Sequence, residues 1–270
     1  MLTRLLSSLR FGHSRPGLGL LGPDVEAPQE TGKTDWDISK LGLAKASVLS
    51  VDLTDLVVDV LDQMASQSCV ANAWEQALRI ERKRLGYPVI LGSRLFGYSN
   101  SRAEHFDEKS DTGTYLRTYA WALKKVGSCP ESTWPFDLRK VNQHPPARAY
   151  REAWALRGIR GYYKIYDQGY QRTEAIRAAL ALGKAVVFGT AVDEAFLQLE
   201  GDSLIDRPNT SIGNHAMCLC GYSPDETNGD YKYKTVNSWS SQWRSNGFAN
   251  LTEEYIQWKQ SEDFWVVSLV

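Results

Sequence analysis

Apolar residues fall at helical spacing early in the chain and at strand spacing late. From Ser68 to Leu85, the residues Val70, Ala73, Trp74, Ala77 and Leu78 form one apolar stripe, and Glu81 to Arg84 form a wet end. Arg82, Lys83 and Arg84 suit the helix C-terminal dipole, Gly86 suits the closing left-handed position, and Pro88 prevents restart. A second helix is expected over Thr114–Val126, with Tyr115, Leu116, Tyr119, Ala120 and Leu123 inward and Gly127 as the stop. Further helices are expected at 146–156 and at 173–182, the latter capped by Thr173 and stopped by Gly183. The pattern then changes. Short β-rich runs at 185–192, 215–222, 231–239, 247–251 and 263–270 are bounded by turn residues. Residues 1–46 show weak periodicity and frequent Gly, Pro and Ser, so they read as a flexible arm. A helical part followed by a β part predicts an α+β chain with two lobes and a cleft between them. The expected domain spans 47–270, mainly helical over about 47–160 and mainly β over about 161–270.

Composition narrows the classes. The chain has 270 residues, is 43% hydrophobic and has a net charge of -1, so a substantial core is expected and bulk attraction to nucleic acid or anionic membrane is not. No run approaches the roughly 18 apolar residues of a membrane span. Arg4, Arg10 and Arg15 interrupt the leucines of the N-terminus, which lacks the unbroken apolar segment of a secretory signal. The arm reads as a mobile tail, with docking of a partner or lying in the cleft as alternatives. Cys69, Cys129, Cys218 and Cys220 have no paired metal-ligand spacing, and no metal or organic cofactor is expected. So few cysteines favour an intracellular or viral-particle setting over a secreted one.

Four positions carry the candidate chemistry. Cys69 opens the first helix, where free N–H groups and the dipole favour a thiolate. Gln63 lies six residues earlier, so its amide can converge with the Cys69 N–H on a developing oxyanion. Of four histidines, His215 alone starts a strongly apolar strand, where it can face a cleft. Strand alternation puts His215, Met217 and Leu219 on one face and Cys218 and Cys220 on the other, toward a core. Asn237 can accept from one imidazole nitrogen, and Trp239 can cover that bond. Taken singly, each of these residues also has an ordinary structural reading.

Taken together they resemble the papain-like (C1) cysteine peptidases. Cys, His and Asn stand in that family's chain order. His215 is 146 residues beyond Cys69, within the separation of about 130–150 expected there. The string N-S-W-x-x-x-W-x-x-x-G-F from Asn237 is similar to the family's N-S-W-G-x-x-W-G-x-x-G-[YF], and C-P-E-S-T-W-P-F at 129–136 resembles a loop of compact microbial and viral members. The resemblance implies a helical left lobe and a β-barrel right lobe with the active site at the seam. It implies Cys69 as nucleophile paired with protonated His215, Asn237 as orienter, Gln63 in the oxyanion hole and Trp239 as support. It also implies a protein or peptide substrate lying along Thr112 and Gly113 on one side and Asn214 on the other. Departures are Gln67-Ser68 for Gly-Ser before the cysteine, Val70 for an aromatic, Ser240 for a glycine, and no bracing disulfides. A catalytically weak binding or assembly module, and amide or isopeptide acyl transfer at the same site, are the alternative functions.

Overall fold

The computed structural model describes residues 15–23, 36–37, 48–155, 159–198 and 204–269; the rest of the expected arm lies outside the described residues. The first helix, α1, spans Cys69–Arg84, followed by α2 (Arg94–Ala103), α3 (Leu116–Val126) and α4 (Ala147–Ala155). A Schellman arrangement ends α1: Gly86 N–H bonds Lys83 O, Tyr87 N–H bonds Arg82 O, and Gly86 takes φ 71°. The wet end expected at Glu81 is buried instead. Glu81 bonds Arg84 and Lys184, the latter at 2.7 Å, because α1 is enclosed on all sides from Cys69 to Glu81. A charge taken out of water in this way needs such partners.

Helix α2 has no strong apolar stripe in the sequence. Ser93 caps it by accepting from Phe96 N–H at 3.1 Å. Gly97 lets it approach α3, since a Cβ there would lie 2.3 Å from the Tyr119 hydroxyl. Its buried residues include Arg94, Ser99, Ser101 and Arg102, so much of its inward face is polar.

The strands are β1 (Trp36–Asp37), β2 (Val51–Asp52), β3 (Ile159–Ile165), β4 (Val186–Val192), β5 (Gly213–Pro224), β6 (Tyr231–Val236), β7 (Phe248–Thr252) and β8 (Ser261–Leu269). Two short helices, α5 (Gly169–Ala181) and α6 (Glu253–Gln257), pack against them. The strand order is β1-β3-β8-β4-β5-β6-β7, with β2 added on β5. All pairs are antiparallel except β1 with β3. The expected β-barrel is therefore corrected: the described strands make an open sheet whose ends, β1 and β7, do not pair. Register breaks between Leu219 and Gly221 bend β5 there, and the freed Cys220 carbonyl accepts from Leu53 N–H at 2.8 Å. Cys218 and Cys220 are fully buried, as the alternation suggested. α1 packs between this sheet and the other helices, so its first residue lies at the seam of the two parts. No described helix is long and apolar enough to cross a membrane.

Candidate active site

Two elements converge at the seam. Cys69 is the first residue of α1, and His215 is the third residue of β5, paired with Thr190 of β4. The backbone of Ala216, immediately after His215, lies close enough to the Cys69 thiol to favour its thiolate. His215 Nε2 bonds Asn237 Oδ1 at 2.7 Å, and that oxygen also accepts from Ser238 N–H at 2.7 Å. With Nε2 held, Nδ1 is the ring nitrogen left over, and it has no hydrogen-bond partner among the described residues. Trp239 lies against the imidazole, ring centroids 4.6 Å apart, and is itself walled by Phe196 and Trp243. Water is thereby kept from the His215–Asn237 bond.

Gln63 is held from both ends of its amide. Ser238 Oγ donates to Oε1 at 2.7 Å, which turns Nε2 toward the cleft. Nε2 then donates to Ser66 O and to Gly17 O, both at 2.9 Å. Gly17 belongs to the N-terminal arm, whose residues 15–23 run through the cleft. The arm pairs in parallel with both walls, Gly19 beside Asn214 and Leu20 beside Thr114. Thr114 N–H donates to Gly19 O at 2.9 Å, and Leu21 N–H donates to Thr114 O at 3.2 Å. The Gly19 backbone lies beside the Cys69 thiol and favours its thiolate. Leu20 is buried against Gly189, and Leu18 lies over Gly213. The fit requires glycine: a Cβ on Gly19 would lie 1.9 Å from Gln67 O, and one on Gly113 would lie 2.0 Å from Gly19 O.

The arm changes the electrostatics of the pair. Burial pushes the Cys69 thiol up to about 11, against the pull of the Ala216 and Gly19 backbone. Burial likewise lowers His215 to about 4, although the Asn237 bond opposes this. With the arm in place, burial favours the neutral form of both groups. This burial opposes the charge pair expected from the sequence.

Of the expected substrate contacts, Asn214 and Gly113 line the arm, whereas Thr112 is exposed and its hydroxyl bonds Asp107. Thr114 makes the main-chain bonds instead, a difference of two residues that no side-chain signal marks. Ser238, which orients Gln63, was also missed, though it stands beside Asn237 in the quoted motif. Ser240 occupies a left-handed conformation, φ 63°, and Arg244, at the next glycine of the family pattern, has φ 44°. These two positions explain why glycine is usual there. Among the described residues no group of His, Cys, Asp and Glu side chains is placed to hold a metal ion.

Comparisons with known proteins place the fold in a family. The family model described as "Papain family cysteine protease" matches residues 96–264, which include His215 and Asn237. A peptidase C1-like protein of Acanthamoeba polyphaga mimivirus is 32% identical over 221 residues, 78% of this chain and 70% of that one. Cathepsin J of Rattus norvegicus is 25% identical over 146 residues, 53% of this chain and 41% of that one. The crystal structure of xylellain, a cysteine protease from Xylella fastidiosa, superposes with TM-score 0.77 at 28% identity, covering 96% of this chain and 98% of that one. Digestive procathepsin L 3 of Tenebrio molitor shares the fold, with TM-score 0.69 and 18% identity over 97% of this chain and 79% of that one. The chain belongs to the papain family and is a cysteine peptidase.

Proposed function

We propose that the chain hydrolyses peptide bonds through a Cys69–His215–Asn237 site and a thioester acyl-enzyme, and that its own arm holds this site latent. One observation carries the reading. The Cys69 thiol lies beside the backbone of Ala216, the residue next to His215, while Asn237 ties down Nε2 and leaves Nδ1 as the nitrogen able to take the thiol proton.

When the arm leaves and water enters, the desolvation that favours the neutral pair is relieved, and the thiol proton can pass to His215. The thiolate attacks the substrate carbonyl. Gln63 Nε2 and the Cys69 N–H receive the oxyanion. His215 returns its proton to the leaving amine, and the acyl-enzyme forms. The neutral imidazole then takes a proton from water, whose oxygen attacks the thioester, and the acid product departs with the thiol restored. An extended substrate would take the arm's place between Gly113–Thr114 and Asn214.

The reading predicts that an epoxide thiol trap labels Cys69 ahead of Cys129, Cys218 and Cys220, as mapped by peptide mass spectrometry. Cys69→Ala should lower peptide hydrolysis by at least about 10³-fold with unchanged circular dichroism. Even labelling of all four cysteines, or cleavage that survives Cys69→Ala, would sink it.

A further inference from the structure

One face of α2 holds the left wall of the cleft. Tyr98, Ser101 and Arg102 stand at i, i+3 and i+4, side by side on a helix. Each reaches the loop 107–114. The Tyr98 hydroxyl donates to Asp111 Oδ1 at 2.7 Å and accepts from Gly113 N–H at 2.9 Å. Ser101 Oγ bonds Thr114 Oγ1, and an Arg102 guanidinium nitrogen bonds Ser110 O. Arg102 also lies 4.0 Å over the Tyr98 ring and so holds its orientation.

The loop is in turn fastened to the nucleophile. Gln67 N–H donates to both carboxylate oxygens of Asp111, at 3.0 and 3.1 Å. Gln67 is two residues before Cys69, and its carbonyl lies against the path of the arm at Gly19. Asp111 therefore points into the protein, toward the cysteine loop, while the next residues carry the main-chain edge. A single hydroxyl, that of Tyr98, joins the two. Its loss leaves the Gly113 N–H and an Asp111 oxygen without their shared partner, and part-buried groups in that position pull the loop into new geometry.

We propose that Asp111 and Tyr98 are positioning residues, a clamp that fixes the spacing between the Cys69 loop and the Gly113–Thr114 edge along which substrate lies. Its catalytic part rests on the peptidase reading above. Misplacement of about 1 Å between an attacking group and its target costs on the order of 10²-fold in rate.

The test compares Tyr98→Phe, Asp111→Ala and Asp111→Asn, each in the full-length parent and in full-length Gly19→Val, so that displacement of the arm is common to one whole series. Peptide hydrolysis is measured per site titrated with the epoxide trap, beside Cys69 alkylation by iodoacetamide, thermal melting and amide hydrogen exchange. The clamp predicts a kcat lower by about 10- to 100-fold in Tyr98→Phe and Asp111→Ala, with KM nearly constant. Alkylation, which needs no edge, should change far less. Asp111→Asn, which keeps an acceptor for Gln67 N–H, should recover part of the loss. A kcat per titrated site within about twofold of the parent in both variants would overturn the proposal, as would a loss of activity that only tracks the fraction folded. Should neither the parent nor Gly19→Val cleave a peptide, the peptidase reading fails, and exchange decides the clamp by itself. Faster exchange of the Gln67 and Gly113 amides in both variants would uphold it, and unchanged exchange would overturn it.

Discussion

The two walls of the cleft are built by different physics. The right wall is a ladder: β4 and β5 pair residue for residue from Val186–Leu219 to Val192–Gly213, and His215 inherits its place from that register. The left wall is an irregular loop with no strand of its own, pinned by side chains of α2 and by Asp111. A ladder spreads its strength over many equivalent main-chain bonds, so a single side chain matters little to its course. A pinned loop concentrates its geometry in a few polar contacts, and loss of one is felt locally. The helical part encloses Glu75, with Oε1 unpartnered among the described residues, next to Gly92 N–H and near Tyr119. Left-handed non-glycine backbone occurs on both sides, at Met64 and Phe106 in the helical part and at Ser240, Arg244, Asn246 and Asp263 in the sheet part.

The arm is the element that joins both walls, so removing it should produce the largest change. Gly19→Val sets a side chain where Gln67 O already stands. Overpacking of this kind costs about 1–3 kcal/mol or more, enough to shift the closed–open balance by roughly 10- to 100-fold. The expected outcome is a matching rise in the rate of Cys69 alkylation and of peptide cleavage. An unchanged alkylation rate would mean that the arm does not limit access.

A second comparison separates the two parts by pH. Burial raises the Glu75 carboxyl from 4.5 to about 7, with Glu131 adding to the shift and Arg82 and Arg94 opposing it. Between these values the folded chain keeps a proton that the unfolded chain has lost. Its contribution is therefore undiminished below about 4.5 and falls as pH rises, the loss being complete above 7 and on the order of 3 kcal/mol. Glu75→Gln should flatten this dependence. Denaturant midpoints at pH 5 and pH 8 check it, and an equally steep dependence in the variant would assign the pH response elsewhere.

The smallest effect concerns the sheet side. Ser240→Gly relieves a left-handed conformation worth about 1–2 kcal/mol, partly offset by the greater freedom of glycine in the unfolded chain and by loss of the Gln242 N–H bond to Ser240 Oγ. A net gain of about 0.5–1 kcal/mol, read from denaturant unfolding with activity retained, is the expected outcome. A loss of stability would show that the serine hydroxyl matters more than the backbone.

These contrasts also explain what could be read from the sequence. Helix α1 and the strands from β4 onward were legible because apolar spacing, caps and turn residues agree there. The His215, Asn237 and Trp239 arrangement was legible from a motif whose parts adjoin in sequence or lie on one strand pair. Helix α2 was not, because pattern reading assigns polar residues to solvent, whereas Tyr98, Ser101 and Arg102 spend their polarity on a loop. Strand β3, with Gly161 and charged residues among its tyrosines, was missed for want of a clean alternation. The open form of the sheet could not be read either, since closure depends on which edges meet and not on what each strand contains. The arm was read as flexible because Gly17 and Gly19 look like the marks of disorder. In the cleft they are what lets a chain pass between two backbones.

That arm is tethered to the enzyme it covers, and on the proposed latency this sets how inhibition responds to quantity. A joined segment competes at a local concentration of the order of millimolar, whatever the concentration of the protein. Diluting the sample therefore gives no release, and a soluble substrate must rival a neighbour that never diffuses away. A single cut between the strap and the body would turn it into an ordinary dissociable peptide, lost on dilution and unable to return at its former strength.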